Sequence, residues 1–224
     1  MHGYLALRAP DGKIIASGNA IQSVHGDRVT SRVIFRFRDG SIDDETAVFT
    51  QRDHFKLITD HHIQKGPTFT DPTELSIDAS TCQVTVRYME HGKSKVDTEH
   101  IELPPDLANG LMFVLMKNIR PEMKETKVSY IAAAPKPRVV TFSIAQQGED
   151  PFWTAGARQK ATRYQIKVEL GGLKGMIAPL IGKQPPDSQV WISVDDVPGF
   201  VKFQGALCLS CPMWSIEPTT PVWH

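Results

Sequence analysis

Residues 28–40 read RVTSRVIFRFRDG. Val29, Val33, Phe35 and Phe37 share one parity, while Arg32, Arg36 and Arg38 take the other, together with Ile34. Successive side chains of a strand point to opposite faces, so this stretch has one apolar face and one wet face. That alternation belongs to an antiparallel sheet with one side on a core. Arg38-Asp39-Gly40 then supplies a turn, and Asp44 to Gln51 reads as the returning strand. The same period recurs along the chain. TCQVTVRYM sets Cys82, Val84, Val86 and Tyr88 against Gln83, Thr85 and Arg87, and His91-Gly92-Lys93 turns it into KVDTEHIEL. ATRYQIKVEL sets Thr162, Tyr164, Ile166, Val168 and Leu170 against Arg163, Gln165, Lys167 and Glu169. VWISV, GFVKFQG and MWSIE read as closing strands, and Tyr4 to Arg8 as an opening one.

One segment departs from this period. LPPDLANGLMFVLMKNIRP opens with two prolines and an Asp and stops at Asn118 before Pro121, which predicts a helix over about residues 106–118. Leu107, Leu111, Val114 and Leu115 form a stripe at helical spacing, widened by Met112, Phe113 and Met116. A helix apolar nearly all round is a buried one. Asn109-Gly110 within it is unfavourable for helix and points to close packing of a strand on the glycine, with a pocket-shaping kink as the alternative. LKGMIAPLIGK, interrupted by Pro179, reads as a strand–loop with a Gly-rich bend. Pro135-Lys136-Pro137 and Gly148-Glu149-Asp150-Pro151 read as turns or loops within one β-rich domain spanning 1–224. The expected fold is therefore mainly β: a long curved antiparallel sheet, a half-barrel or open barrel, wrapped around one apolar helix.

Composition excludes several functions. With 25 basic and 25 acidic residues the formal charge is zero, without the basic footprint of a nucleic-acid binder. No run approaches the roughly 18–20 apolar residues of a membrane-spanning helix. Residues 1–8 show no signal-peptide pattern. Cys82, Cys208 and Cys211 are too few for a disulfide framework. The lone Cys208-Leu-Ser-Cys211 lacks a second zinc pair and the helical setting of a redox motif, so it reads as structural thiols or one local disulfide.

Asp60-His61-His62 invites a metal reading, but in FKLITDHHIQ the residues Phe55, Leu57, Thr59, His61 and Ile63 alternate with Lys56, Ile58, Asp60, His62 and Gln64. Two adjacent imidazoles on a regular strand cannot chelate one ion, so His61 is placed on the apolar face and His62 on the wet one. Asp43-Asp44-Glu45 and Glu99-His100 read as solvated positions, and Asp195-Asp196 as a turn. Residues 171–175 (GGLKG) with Gly182-Lys183 have the wrong spacing for a phosphate loop, and Gln184 stands where Ser or Thr is required. No G-x-S-x-G elbow occurs. No catalytic residue, metal ligand or cofactor is expected.

FRFRDGSIDDETAVFTQRDHFKLITDHHIQKGP, then ELPPDLANGLMFVLMKNI, then KATRYQIKVELGGLKGMIAPLIGKQPPDSQVWI, taken together, resemble a family of bacterial secreted proteins of unknown function. That family is distantly similar to the half-barrel fold of lipoprotein carriers, an antiparallel sheet over helices. The resemblance implies export, and thus a periplasmic or otherwise extracytoplasmic location. The expected function is a non-enzymatic binding or carrier protein for a hydrophobic or amphipathic ligand, an apolar small molecule or lipid, held between sheet and helix. Its expected lining is Phe35, Phe37, Phe55, Leu57, His61, Leu111, Leu115, Tyr164 and Ile166. The alternative is a structural or interaction domain of the cell envelope with a filled core.

Overall fold

The computed structural model describes residues 1–52, 54–120, 122–133, 136–154, 156–169 and 186–220. Strand makes up 65% of it, in one open antiparallel sheet. The strands are β1 (His2–Arg8), β2 (Ile14–His25), β3 (Arg28–Phe37), β4 (Ile42–Gln51), β5 (Phe55–Lys65), β6 (Thr73–Asp78), β7 (Gln83–Glu90) and β8 (Lys93–His100). After the helix α1 (Met112–Met116) come β9 (Glu125–Ala132), β10 (Arg138–Thr154), β11 (Ala157–Glu169), β12 (Ser188–Ser193), β13 (Phe200–Gly205) and β14 (Trp214–Thr219). Their order is β8-β7-β6-β5-β4-β3-β2-β1-β14-β13-β12-β11-β10-β9. Every chain neighbour is thus a sheet neighbour, except that β1 pairs with β14 and β8 is separated from β9 by the full width of the sheet.

The alternation in 28–40 becomes β3 as expected: Val29, Phe35 and Phe37 are buried on the inner face. The turn at 38–41 delivers β4, and the expected turn at 91–92 joins β7 to β8. Two expectations change. Gly148 to Pro151 lies inside β10 and not in a loop. The strand absorbs Gly148 at a register shift between Gln146 and Gly148, where the φ of Gly148 is +131°. Pro151 is tolerated because β9 pairs with β10 only as far as Ala145, so among the described residues the proline stands on an edge without a strand partner. The expected helix over 106–118 shortens to Met112–Met116. Gly110, at φ +64°, stops it on the N-terminal side, and Leu107 and Leu111 instead make turn bonds to Pro104 and Ala108. The strand–loop expected at 173–183, like Asp53, Pro135, Leu170, Gly171 and Gln184, lies outside the described residues.

Three buried apolar clusters line the inner face. One joins β3–β7 side chains such as Phe49, Leu75 and Val86 to Leu107, Leu111, Val114 and Ile131. Another joins Leu7, Phe37, Phe69 and Trp214, with Phe113 packed against it. The last joins Tyr164, Ile166 and Ile192 of β11 and β12 to Ala108 and Met116. Ile131 of β9 thus belongs to the same cluster as Leu75 and Val86, although β9 ends the sheet opposite β8; the sheet bends enough for both to reach one core that includes Leu107 and Leu111. Cys208 and Cys211 form a disulfide with Cα atoms 5.0 Å apart, resolving the two alternatives left open by spacing.

Candidate functional site

The site begins with one extra residue. Val48 of β4 pairs with Thr59 of β5, but Phe49 pairs with Leu57, so Ile58 is unpaired between them. The carbonyl of Ile58 accepts instead from the Ala79 amide at 2.9 Å. A bulge of this kind inverts the facing of every later residue. Leu57 points inward, and after the bulge Asp60, His62 and Gln64 do so in place of Thr59, His61 and Ile63. The two imidazoles do lie on opposite faces, but the expected assignment is reversed. His61, expected in the apolar lining, is on the outer face with 47% of its side chain exposed and a 2.9 Å contact to Glu74. His62 is the inward one, with 17% exposed.

Opposite Asp60, His62 and Gln64 stand Ala47, Glu45 and Asp43 of β4. Asp43 and Glu45, expected to be solvated, therefore face inward, and only Asp44 looks outward, bonded to Arg32 at 2.8 Å. His62 Nε2 lies 2.7 Å from Asp43 Oδ1, and its Nδ1 lies 3.9 Å from Glu45 Oε1. Gln64 donates to Asp43 at 3.1 Å and to the Leu207 carbonyl at 2.8 Å. Asp60 is 2% exposed, and neither of its carboxylate oxygens has a hydrogen-bond partner among the described residues.

The lid over this cluster is Asn109-Gly110. The Gly110 amide donates to Glu45 at 3.1 Å. A Cβ at Gly110 would lie 2.4 Å from Ala47 Cβ and 2.7 Å from Asp60 Oδ1, so only glycine fits, as the sequence suggested. The fully buried Asn109 side chain donates to the Ile131 carbonyl at 3.1 Å and accepts from the Ile131 amide at 2.8 Å. It supplies both bonds that a neighbouring strand would give, beside the Leu107–Ser129 bridge that pairs the segment with β9. Replacing Asn109 with leucine is expected to orphan both Ile131 groups and cost about 2–4 kcal/mol. Urea unfolding would show it, and an unchanged midpoint would contradict this role.

Electrostatically the cluster is a proton store. Burial works against a charged His62, but Glu45, the hydrogen bond and charge of Asp43, and Asp60 prevail and raise its pKa from 6.5 to about 10. Burial, reinforced by Glu45, pushes Asp60 well above the usual carboxylate range. Burial also raises Glu45, against the pull of His62. Burial and the same three carboxylates hold the Tyr130 phenol protonated. At neutral pH His62 therefore keeps its proton, and Asp60 and Glu45 hold theirs more firmly than ordinary carboxyls do. Asp60→Asn should therefore stabilise the protein more at pH 9 than at pH 5, because from the ordinary carboxylate range upward the unfolded chain releases a proton that the folded chain must keep or else bury a charge. Denaturant titrations at both pH values test this, and equal effects at the two would contradict it.

Of the other expected lining residues, Phe35, Phe37, Leu57, Leu111, Tyr164 and Ile166 are buried in the three clusters, and Leu115 packs partly buried against two of them. Phe55 lines an open depression of about 280 Å³ with Gln51, Arg52, His54 and Asn118. A second depression of about 270 Å³ lies between Arg8 and Trp214. Neither is lined by Asp43, Glu45, Asp60 or His62. Among the described residues no three His, Cys, Asp or Glu side chains are placed to hold a metal ion, and no helix is long and apolar enough to cross a membrane. Comparison with protein-family models, curated proteins and solved structures gives no match. Fold and site together define a class: an open antiparallel β protein with an acid–imidazole cluster under an apolar insert.

Proposed function

We propose that the protein is a non-enzymatic binding or carrier protein for a hydrophobic or amphipathic ligand, working in the periplasm or another extracytoplasmic compartment. In this reading the bent sheet wraps the apolar segment 107–119, which occupies the ligand space in the empty state. The observation that carries it is the reach of that segment. Leu107, Leu111 and Val114 enter one cluster, Phe113 a second, and Ala108, Met112, Met116 and Ile119 the third. A segment this apolar contributes little to the polar network, to which the Gly110 amide attaches it, while Asn109 ties it to the Ile131 backbone. A ligand of similar polarity could replace it with little net change in buried apolar area. The resemblance to lipoprotein carriers motivates the same reading, and the Cys208–Cys211 disulfide suits an oxidising compartment.

The second reading, a filled structural or interaction domain of the envelope, is favoured by one observation: most of the expected lining is already packed. Native mass spectrometry before and after denaturing extraction separates the two. A lipid-sized mass that extraction removes supports the carrier. A bare chain mass that stays bare after incubation with long-chain fatty acids and phospholipids supports the filled domain.

A further inference from the structure

β8 ends the sheet, and among the described residues its outer side has no strand partner. An exposed edge of this kind is a template for another strand, which proteins usually block with lysines or prolines. Here the edge does carry lysines, Lys93 and Lys95, but Asp97 and Glu99 balance them in a charge palindrome. Lys93, Lys95, Asp97 and Glu99 share one face, and Ser94, Val96 and Thr98 the other. The backbone phase is fixed by the neighbouring strand. Glu90 and Lys93 close the hairpin, and the Ile101 amide donates to the Cys82 carbonyl at 2.9 Å. The odd-numbered residues therefore bond to β7, and the amides and carbonyls of Ser94, Val96 and Thr98 point to the open side.

We infer that β8 pairs antiparallel with β8 of a second copy of this chain, about a two-fold axis at Val96. That register places Ser94 opposite Thr98, Val96 opposite Val96, Lys93 opposite Glu99 and Lys95 opposite Asp97. Each lysine then faces a carboxylate, and the outward amides meet outward carbonyls. Sliding the pairing by one step of two residues sets Asp97 against Asp97 or Lys95 against Lys95, so like charges oppose the alternatives. Val96, 54% exposed, meets its own copy at the axis. The contact joins two open sheets into one continuous sheet with isologous symmetry.

Sedimentation velocity over a range of concentrations tests this, with circular dichroism to confirm that each variant is folded. The wild type should dimerise reversibly, and more weakly as salt rises. K95E and D97K should each weaken the dimer at least ~10-fold by setting like charges opposite. Mixed one to one, the two variants should dimerise again, because each altered side chain then faces an opposite charge. The double variant K95E/D97K should dimerise like the wild type, and V96P, which removes an outward amide, should not. A monomeric wild type at millimolar concentration, or a dimer indifferent to K95E and V96P, would overturn the inference.

Discussion

Gly110→Ala is expected to destabilise the protein by about 2–4 kcal/mol, which for a chain of this size lowers the melting temperature by roughly 5–15 °C. Two costs add. The residue sits at φ +64°, a conformation that costs an L-residue about 1–2 kcal/mol. The new methyl would also lie 2.4 Å from Ala47 Cβ and 2.7 Å from Asp60 Oδ1, so the lid must lift from β4 and β5. Lifting it breaks the Gly110–Glu45 bond and loosens the adjacent apolar segment. Gly92→Ala is the matched control. Its φ is +75° and its Cβ meets nothing within 4 Å, so it should cost only the backbone strain, about 1 kcal/mol. Equal losses at the two positions in thermal or urea unfolding would show that the contact with Ala47 and Asp60 has no weight.

His62→Gln is the second large effect, and it depends on pH. The folded pKa of His62 is raised from 6.5 to about 10. Its contribution is therefore fully present below pH 6.5 and is lost as pH rises through about 10, because in that window the folded protein holds a proton that the unfolded chain has released. The slope reaches about 1.4 kcal/mol per pH unit. Asp60 and Glu45, both raised, act in the same direction from the ordinary carboxylate range upward. Asp39, Asp78 and Glu74 are lowered by their hydrogen bonds, first to Thr68, Ser80 and His61 respectively, and lose their contributions as pH falls below that range. Stability should then be greatest in mildly acid solution and decline from pH 6.5 to 10. The substitution should cost about 3 kcal/mol at pH 6, where it leaves carboxylates buried without their cation. It should also flatten the profile above pH 6.5. Urea titrations at pH 6 and pH 9 measure both effects, and parallel wild-type and variant profiles would remove His62 from the account.

Much of the sheet is legible in the residues. Alternation in 28–37, 83–89 and 161–169 marks strands because their faces differ in burial, and Asp39-Gly40 and His91-Gly92 mark turns because they adopt positive φ or cap it. β10 was hidden because a glycine and a proline at a sheet edge look the same in sequence as a loop. Apolar spacing extends the helix too far because it cannot report where a left-handed Gly110 interrupts it. The site departs from the expected facing for two separate reasons. A bulge at Ile58 inverts β5 without any local signature and so exchanges His61 for His62, whereas Asp43 and Glu45 share the parity of Ala47 and Phe49 on a regular β4, and their inward facing was open to the same alternation argument. The glycine was the legible clue: Asn109-Gly110 in an apolar run signalled close approach, and what it approaches is this cluster.

The central proposal is that the segment 107–119 yields its place to a ligand. Hydrogen exchange at the Val114 and Leu115 amides, both bonded to the Leu111 carbonyl at 2.9 Å, follows this directly, measured with and without a saturating long-chain fatty acid. The proposal predicts faster exchange at these amides when the fatty acid is bound, while β3 and β4 stay protected. Unchanged protection across the segment at saturating fatty acid would contradict it and leave the filled domain.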